Sequence, residues 1–385
     1  MKPARRCETI TPFIVMEVLE KIHQMEAQGI DVVHMEIGEP DFDVPECVNR
    51  ASREALDRHA TSYTHSLGDI RLRQAISEYH QATYGTRVDP GQVLVTSGTS
   101  PAMLLLFSAL VNPGDEVIIS DPHYACYANF IQFVQGVPVT VPVHEEQGFV
   151  FTPEAIEAKI TPKTRAIFIN SPANPTGNVI PEDRMKQIVG VAEKHGLLII
   201  SDEIYHGLVY EGQARSILEF TPNAFVLNGF SKLFAMTGLR LGYLIAPFPF
   251  VRALQVLQQN FFICANSVTQ LAGVAALKEA GKETRHMRQV YNQRRLYMLK
   301  RLDEMGLGVK VPPTGAFYIF VNVRHISMDS YALAFDILEK AHVGVTPGID
   351  FGANGEGFIR LSYANSLENL TRGMDRLANY LKTRA

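Results

Sequence analysis

At 385 residues the chain exceeds the usual size of one small domain, so two lobes are expected. Its 36 Lys and Arg against 40 Asp and Glu leave a formal net charge of −4, which recommends neither nucleic acid nor an anionic membrane as a partner. Apolar residues make up 46%, enough for a large core and too many for a disordered chain.

The four cysteines, Cys7, Cys47, Cys126 and Cys264, are scattered with no C-x-x-C pair, and the twelve histidines form no H-E-x-x-H. Neither a disulfide framework nor a metal site is expected, and this cysteine usage suits a reducing cytoplasm. The N-terminus leads into no apolar signal core, and no long uncharged apolar span follows. A soluble, cytoplasmic protein is expected. Trp is absent, so an aromatic platform for any ligand must come from Tyr, Phe or His.

Along the chain, Thr11-Pro12 reads as an N-cap and first-turn proline. Ile14, Val18, Leu19, Ile22 and Met25 then recur at helical spacing until Gly29. This helix is assigned a core stripe and no chemistry. Asp31 to Ile37 reads as a strand running into Gly38-Glu39-Pro40-Asp41-Phe42, and Pro45 to Ala60 reads as a helix. From about Gln92 to Leu244 the order repeats as short apolar strand, polar turn, helix. Val93-Leu94-Val95 precedes Thr96-Ser97-Gly98-Thr99-Ser100, and an apolar helix follows. A small-residue turn that opens a helix presents unpaired N–H groups and a positive dipole end, a place for an anion. Read alone, a plain Ser/Thr N-cap is the simpler reading of the same residues.

Val117 to Ile119, Ala166 to Ile169, Leu197 to Ile200 and Ala224 to Leu227 are further apolar strands. They end respectively at Ser120-Asp121-Pro122-His123-Tyr124, at Asn170-Ser171-Pro172-Ala173-Asn174-Pro175-Thr176-Gly177, at Ser201-Asp202-Glu203-Ile204-Tyr205, and at Asn228-Gly229-Phe230-Ser231-Lys232. Candidate polar residues thus cluster just after strands, where doubly wound sheets bind ligands. Asp202 at the end of a buried strand needs a partner, because an unpaired buried charge is costly. A protonated pyridine nitrogen is one such partner; an acidic first helical turn is the plainer reading. Ser231, Lys232 and Arg240 can hold a phosphate and offer an amine beside it. Beyond Val251 the pattern is mostly helical. A smaller lobe resumes near Met287, with strands around Tyr318 and Arg360 and a terminal helix capped by Ser366. Arg360 stands alone among apolar neighbours, so either a bidentate carboxylate ligand or an internal acid must pair with it.

Taken together, S-K-x-F-x-x-x-G-x-R-x-G over Ser231–Gly242, N-P-T-G at Asn174, D-E-x-Y at Asp202 and Y-x-x-x-x-G-x-x-x-L-R-x-A from Tyr63 resemble the class I/II aminotransferases of the aspartate aminotransferase superfamily. The resemblance runs from Ile37-Gly38-Glu39-Pro40-Asp41-Phe42 to Phe358-Ile359-Arg360-Leu361-Ser362. It implies an α/β protein of fold type I. A large domain over 46–286 would carry a mainly parallel, seven-stranded, doubly wound sheet, and 1–45 with 287–385 would form a smaller α+β domain. It also implies that Lys232 is catalytic and binds pyridoxal 5′-phosphate covalently. Gly98, Thr99, Ser100, Ser231 and Arg240 would hold the phosphate, and Tyr124 would lie on the ring face. Asp202 would meet the ring nitrogen, with Asn174 and Tyr205 on the ring oxygen. Gly38, Asn174 and Arg360 would bind the substrate carboxylate, and Tyr63 would reach the phosphate of a neighbouring subunit in a homodimer with shared sites.

The activity implied is transfer of an amino group from an amino acid to a 2-oxo acid by a ping-pong cycle. A β-lyase acting on cysteine-type substrates would use the same fold and lysine. A cofactor-sensing regulator would need a DNA-binding domain and a basic face, and the chain has neither. Some acidic-substrate relatives place a lysine where this chain has Ser100, which weakens an expectation of strict aspartate specificity.

Overall fold

The first strand, β1, is only Val33–His34, and the long ladder begins later with β2 (Val93–Thr96), β3 (Glu116–Asp121), β4 (Val137–Pro142), β5 (Thr164–Asn170), β6 (Leu198–Asp202), β7 (Ala224–Gly229) and β8 (Gly242–Ile245). The structure, a computed structural model, describes residues 2–4 and 6–384. The seven strands from β2 to β8 form one sheet in the order β2-β8-β7-β6-β5-β3-β4. Every pairing among β3 to β7 is parallel, and β8 runs against both neighbours, β2 and β7.

Helices cover both faces of this sheet, which is why its central strands read as unbroken apolar runs. Alternate residues enter different cores. Ile118, Ile167, Ile199 and Val226 join one apolar cluster, while Val117, Ile119, Phe168, Ile200 and Phe225 join the other. The parallel strands share a carboxyl edge, where Asp121, Asn170, Asp202 and Gly229 are the last strand residues. This is the architecture expected for fold type I.

The later strands are β9 (Tyr318–Asn322), β10 (Val343–Gly344), β11 (Thr346–Pro347) and β12 (Phe358–Ser362). β12 lies between β9 and β11, antiparallel to both, and β1 pairs in parallel with β10. The strand expected over Asp31–Ile37 is therefore much shorter than its apolar run. Just beyond it, Met35 N donates to Gly344 O at 3.1 Å while Ser362 N donates to Met35 O at 2.7 Å. The segment stays extended and bonded, but it crosses from one small sheet to another instead of extending either.

The helix Ile14–Glu26 forms with the expected stripe of Val18, Ile22 and Met25 buried. Its cap is not Thr11. Phe13 occupies that position, and the free N–H groups of Ile14 and Val15 donate to the Asp350 carboxylate at 2.8 and 3.3 Å. A distant acid does the work of a local cap. At the other end of the chain the helix Leu367–Lys382 does start on its own serine, Ser366 Oγ accepting from Asn369 N at 3.1 Å. No helix among the described residues is long and apolar enough to cross a membrane.

Candidate active site

The carboxyl edge of the large sheet opens on a cavity of about 330 Å³. Of the residues singled out in the sequence, all but Gly98 and Tyr63 line it: Gly38, Thr99, Ser100, Tyr124, Asn174, Asp202, Tyr205, Ser231, Lys232, Arg240 and Arg360. Gly98 sits directly behind, as the residue before the helix Thr99–Leu110. Tyr63 is not brought to the cavity of its own chain and is 80% exposed.

One end of the cavity is built for an anion. The helix Thr99–Leu110 starts there with first-turn N–H groups that no side chain caps. Gly98 has φ +95°, and a Cβ at that position would lie 2.6 Å from Arg240 Nη2, so only glycine lets the guanidinium come this close to the turn. Arg240 Nη1 donates to Thr237 O at 2.9 Å, leaving its other N–H bonds for a ligand. Ser231 completes this end.

Lys232 follows from the end of β7. Its Nζ donates to Gly38 O at 2.5 Å and lies 5.7 Å from the Phe317 ring centroid. Burial lowers its pKa to about 8. Glu39 opposes that shift, and the nearby charges of Arg360 and Arg240 reinforce it. A side chain at Gly38 would force Tyr318 to move, because its Cβ would stand 2.0 Å from the Tyr318 hydroxyl.

Asp202 is 3% exposed, accepting from Tyr127 Oη at 2.8 Å and from Ile204 N at 3.1 Å. Burial raises its carboxyl to about 6, with the Tyr127 hydroxyl, the Ile204 amide and the Lys232 charge pulling the other way. Among the described residues no cation forms a salt bridge with it. A buried carboxylate held by neutral donors, facing a cavity, is a berth for a positively charged or protonated ligand atom. With the anion end and the amine, the residues present fit pyridoxal phosphate.

Arg360, in β12, is 3% exposed and has no acid partner among the described residues. Nη1 donates to Asn174 Oδ1 at 2.9 Å, and Nη2 donates to Thr346 Oγ1 at 3.1 Å and to Glu36 O. Nε finds no acceptor. The guanidinium stands over Tyr318 and Phe351, 4.4 and 4.9 Å from their ring centroids. Neutral acceptors and two aromatic faces orient the fork without neutralising it.

Three contributions escaped the sequence reading. Tyr127, which grips Asp202, lies three residues after Tyr124, and that helical spacing was the available signal. Tyr318 bonds the Tyr205 hydroxyl at 2.8 Å from 113 positions away, with no local signal at all. Phe13, Val15 and Met16 also line the cavity, although their helix was read as core alone.

The chain matches the family model for class I and II aminotransferases over residues 30–377. It is similar to the (5-formylfuran-3-yl)methyl phosphate transaminase of Methanocaldococcus jannaschii, 39% identical over 98% of this chain and 99% of that protein. It is equally similar to an aspartate aminotransferase of Pyrococcus horikoshii, 39% identical over 96% of this chain and 94% of the other. Among solved structures, the aspartate aminotransferase from Thermus thermophilus with maleate superimposes with a TM-score of 0.95 at 36% identity, covering 98% of this chain and 99% of that one.

Proposed function

The chain belongs to the class I and II aminotransferases, pyridoxal-phosphate enzymes that move an amino group between an amino acid and a 2-oxo acid, and from that premise we propose which of its residues carry the reaction. The observation that carries the reading is the meeting in one cavity of the Lys232 amine, the unpaired Asp202 carboxylate and the unneutralised Arg360 fork.

When bound, pyridoxal 5′-phosphate supplies an electron-poor ring that can take up the electrons of a substrate C–H bond. The N–H groups of Thr99 and Ser100, the Ser231 hydroxyl and Arg240 hold its phosphate. Asp202, steadied by Tyr127, keeps a proton on the ring nitrogen. Tyr124 packs on the ring, and Asn174 and Tyr205 bond its oxygen. Arg360 holds the substrate carboxylate and so fixes which substrate bond faces the lysine. Lys232 Nζ takes the proton from the substrate α-carbon. We assign the large lobe to 46–286 and the small lobe to 1–45 with 287–385; the pairing of β1 with β10 supports joining the two chain ends.

A lowered lysine pKa makes the neutral, nucleophilic amine available at lower pH. Cofactor uptake by the apoprotein should therefore accelerate as pH rises through about 8 and then level off, followed by stopped-flow absorbance. A rate still climbing towards 10.5, the value of an ordinary lysine, would contradict this environment for Lys232.

The active unit we propose is a cytoplasmic homodimer in which Tyr63, 80% exposed on its own chain, reaches the partner's phosphate. Tyr63→Phe should then weaken cofactor binding by about 0.5–1.5 kcal/mol, measured by equilibrium titration. Mixing inactive Lys232→Ala subunits with subunits severely disrupted at Tyr63 should restore activity in heterodimers that hold one site free of both lesions. An active monomer at assay concentration would end the shared-site reading.

A further inference from the structure

The extended segment from His34 to Gly38 lends its carbonyls to two cations of the cavity. Glu36 O accepts from Arg360 Nη2 and, at 3.0 Å, from Thr346 Oγ1, while Gly38 O accepts from Lys232 Nζ. Thr346 Oγ1 in turn accepts from Arg360 Nη2 at 3.1 Å. Both N–H bonds of Nη2 are thereby spent on holding the guanidinium in place. Where this segment sits therefore decides how the Arg360 fork is turned.

The segment carries a buried ion pair of its own. The Glu36 side chain is wholly buried, with Oε1 2.7 Å from His34 Nδ1. His34 Nε2 lies 3.1 Å from Oε1 of Glu26, the last residue of the helix Ile14–Glu26. The bond to Glu36, opposed by burial and helped by Glu26, raises His34 to about 9, so the imidazole is a cation at neutral pH. Among the described residues no other cation lies within ion-pair distance of Glu36. Glu36 Oε2 has no hydrogen-bond partner among them and lies against Gly344 of β10, where a Cβ would stand 2.1 Å away. Apolar side chains of similar volume commonly stabilise such a place as well as an ion pair does. Stability alone therefore does not account for an acid here.

From this we infer that His34 and Glu36 are positioning residues for the substrate carboxylate: their ion pair fixes the Glu36 carbonyl and, through it, the Arg360 fork. The inference rests on the assignment of Arg360 proposed above.

The test compares two probes on the holoenzyme. One is 2-methylalanine, which has no α-hydrogen to lose, and the other is its amide, which lacks the carboxylate charge. Calorimetric titration gives a dissociation constant for each, and the ratio of the two reads the carboxylate contact. His34→Ala and Glu36→Ala should each cut the wild-type preference for the acid by about 3- to 10-fold, with the affinity for the amide and the bound cofactor retained. Arg360→Leu should cut it by about 30-fold or more. Glu36→Gln can still bond His34 and should fall between Glu36→Ala and the wild type. The His34 side chain is 31% exposed, so its variant carries the test should Glu36→Ala fail to fold. A pair with a merely structural role would lower the melting temperature and leave the ratio at its wild-type value. That result would overturn the inference while leaving Arg360 in the site. A ratio that Arg360→Leu also leaves unchanged would fail the site assignment, and the inference with it.

Discussion

Lys232→Ala should leave an enzyme that folds and binds substrate but scarcely turns over. Loss of a positioned acid–base group alone costs roughly 10²–10⁴-fold in rate, and the covalent anchor of the cofactor disappears with it. The expectation rests on where the amine sits. It is half-buried and bonded to the Gly38 carbonyl, and desolvation, reinforced by two nearby arginines, lowers its pKa to about 8. Borohydride treatment of the wild-type holoenzyme should fix the cofactor on the peptide that contains Lys232, seen as added mass, and the variant should show none. Steady-state assay gives the second readout. A variant that still transfers amino groups at the wild-type rate would remove Lys232 from the centre of the reaction.

Why the lysine could be found in the sequence, and other parts of the site could not, has a physical explanation. Strands covered on both faces need apolar side chains at every position, so β5, β6 and β7 stand out as short unbroken runs. A parallel sheet then gathers the residues at and just after the end of each run onto one edge, and that is how Asn174, Asp202 and Lys232 come together from distant positions. Side chains placed by such strand ends are legible one segment at a time. Contacts across the small sheets are not. Asp350 caps a helix that starts 336 residues earlier, and Tyr318 meets Tyr205 across 113 positions, and neither pairing leaves a local pattern. Thr11-Pro12 had the chemistry of a cap, and the structure gave Thr11 to Asn129 instead. The short span of β1 has the same cause, since the bonds of Met35 go to two different strands.

Arg360→Leu should raise the amino-acid concentration needed for half-saturation by about 30- to 5,000-fold, which corresponds to about 2–5 kcal/mol. The cofactor should stay bound, because of the residues proposed to hold it only Asn174 is bonded to Arg360, and the contacts proposed for its phosphate and ring nitrogen are untouched. The size of the effect follows from the surroundings of the guanidinium. It is 3% exposed, and no acid among the described residues neutralises it, so it gains most when a ligand carboxylate arrives. A guanidinium has five N–H bonds. Three hydrogen bonds are made, to Asn174, Thr346 and the Glu36 carbonyl, which leaves two N–H bonds, that of Nε and one on Nη1. A structural ion pair would have used the fork on an internal acid and left nothing for substrate. Leucine keeps an apolar side chain beside the Tyr318 and Phe351 rings, so the substitution tests charge and hydrogen bonding more than packing. Arg360→Lys keeps the charge without the fork and should fall between the two. Rates that depend on amino-acid concentration as in the wild type, with the cofactor retained, would place the substrate carboxylate somewhere other than Arg360.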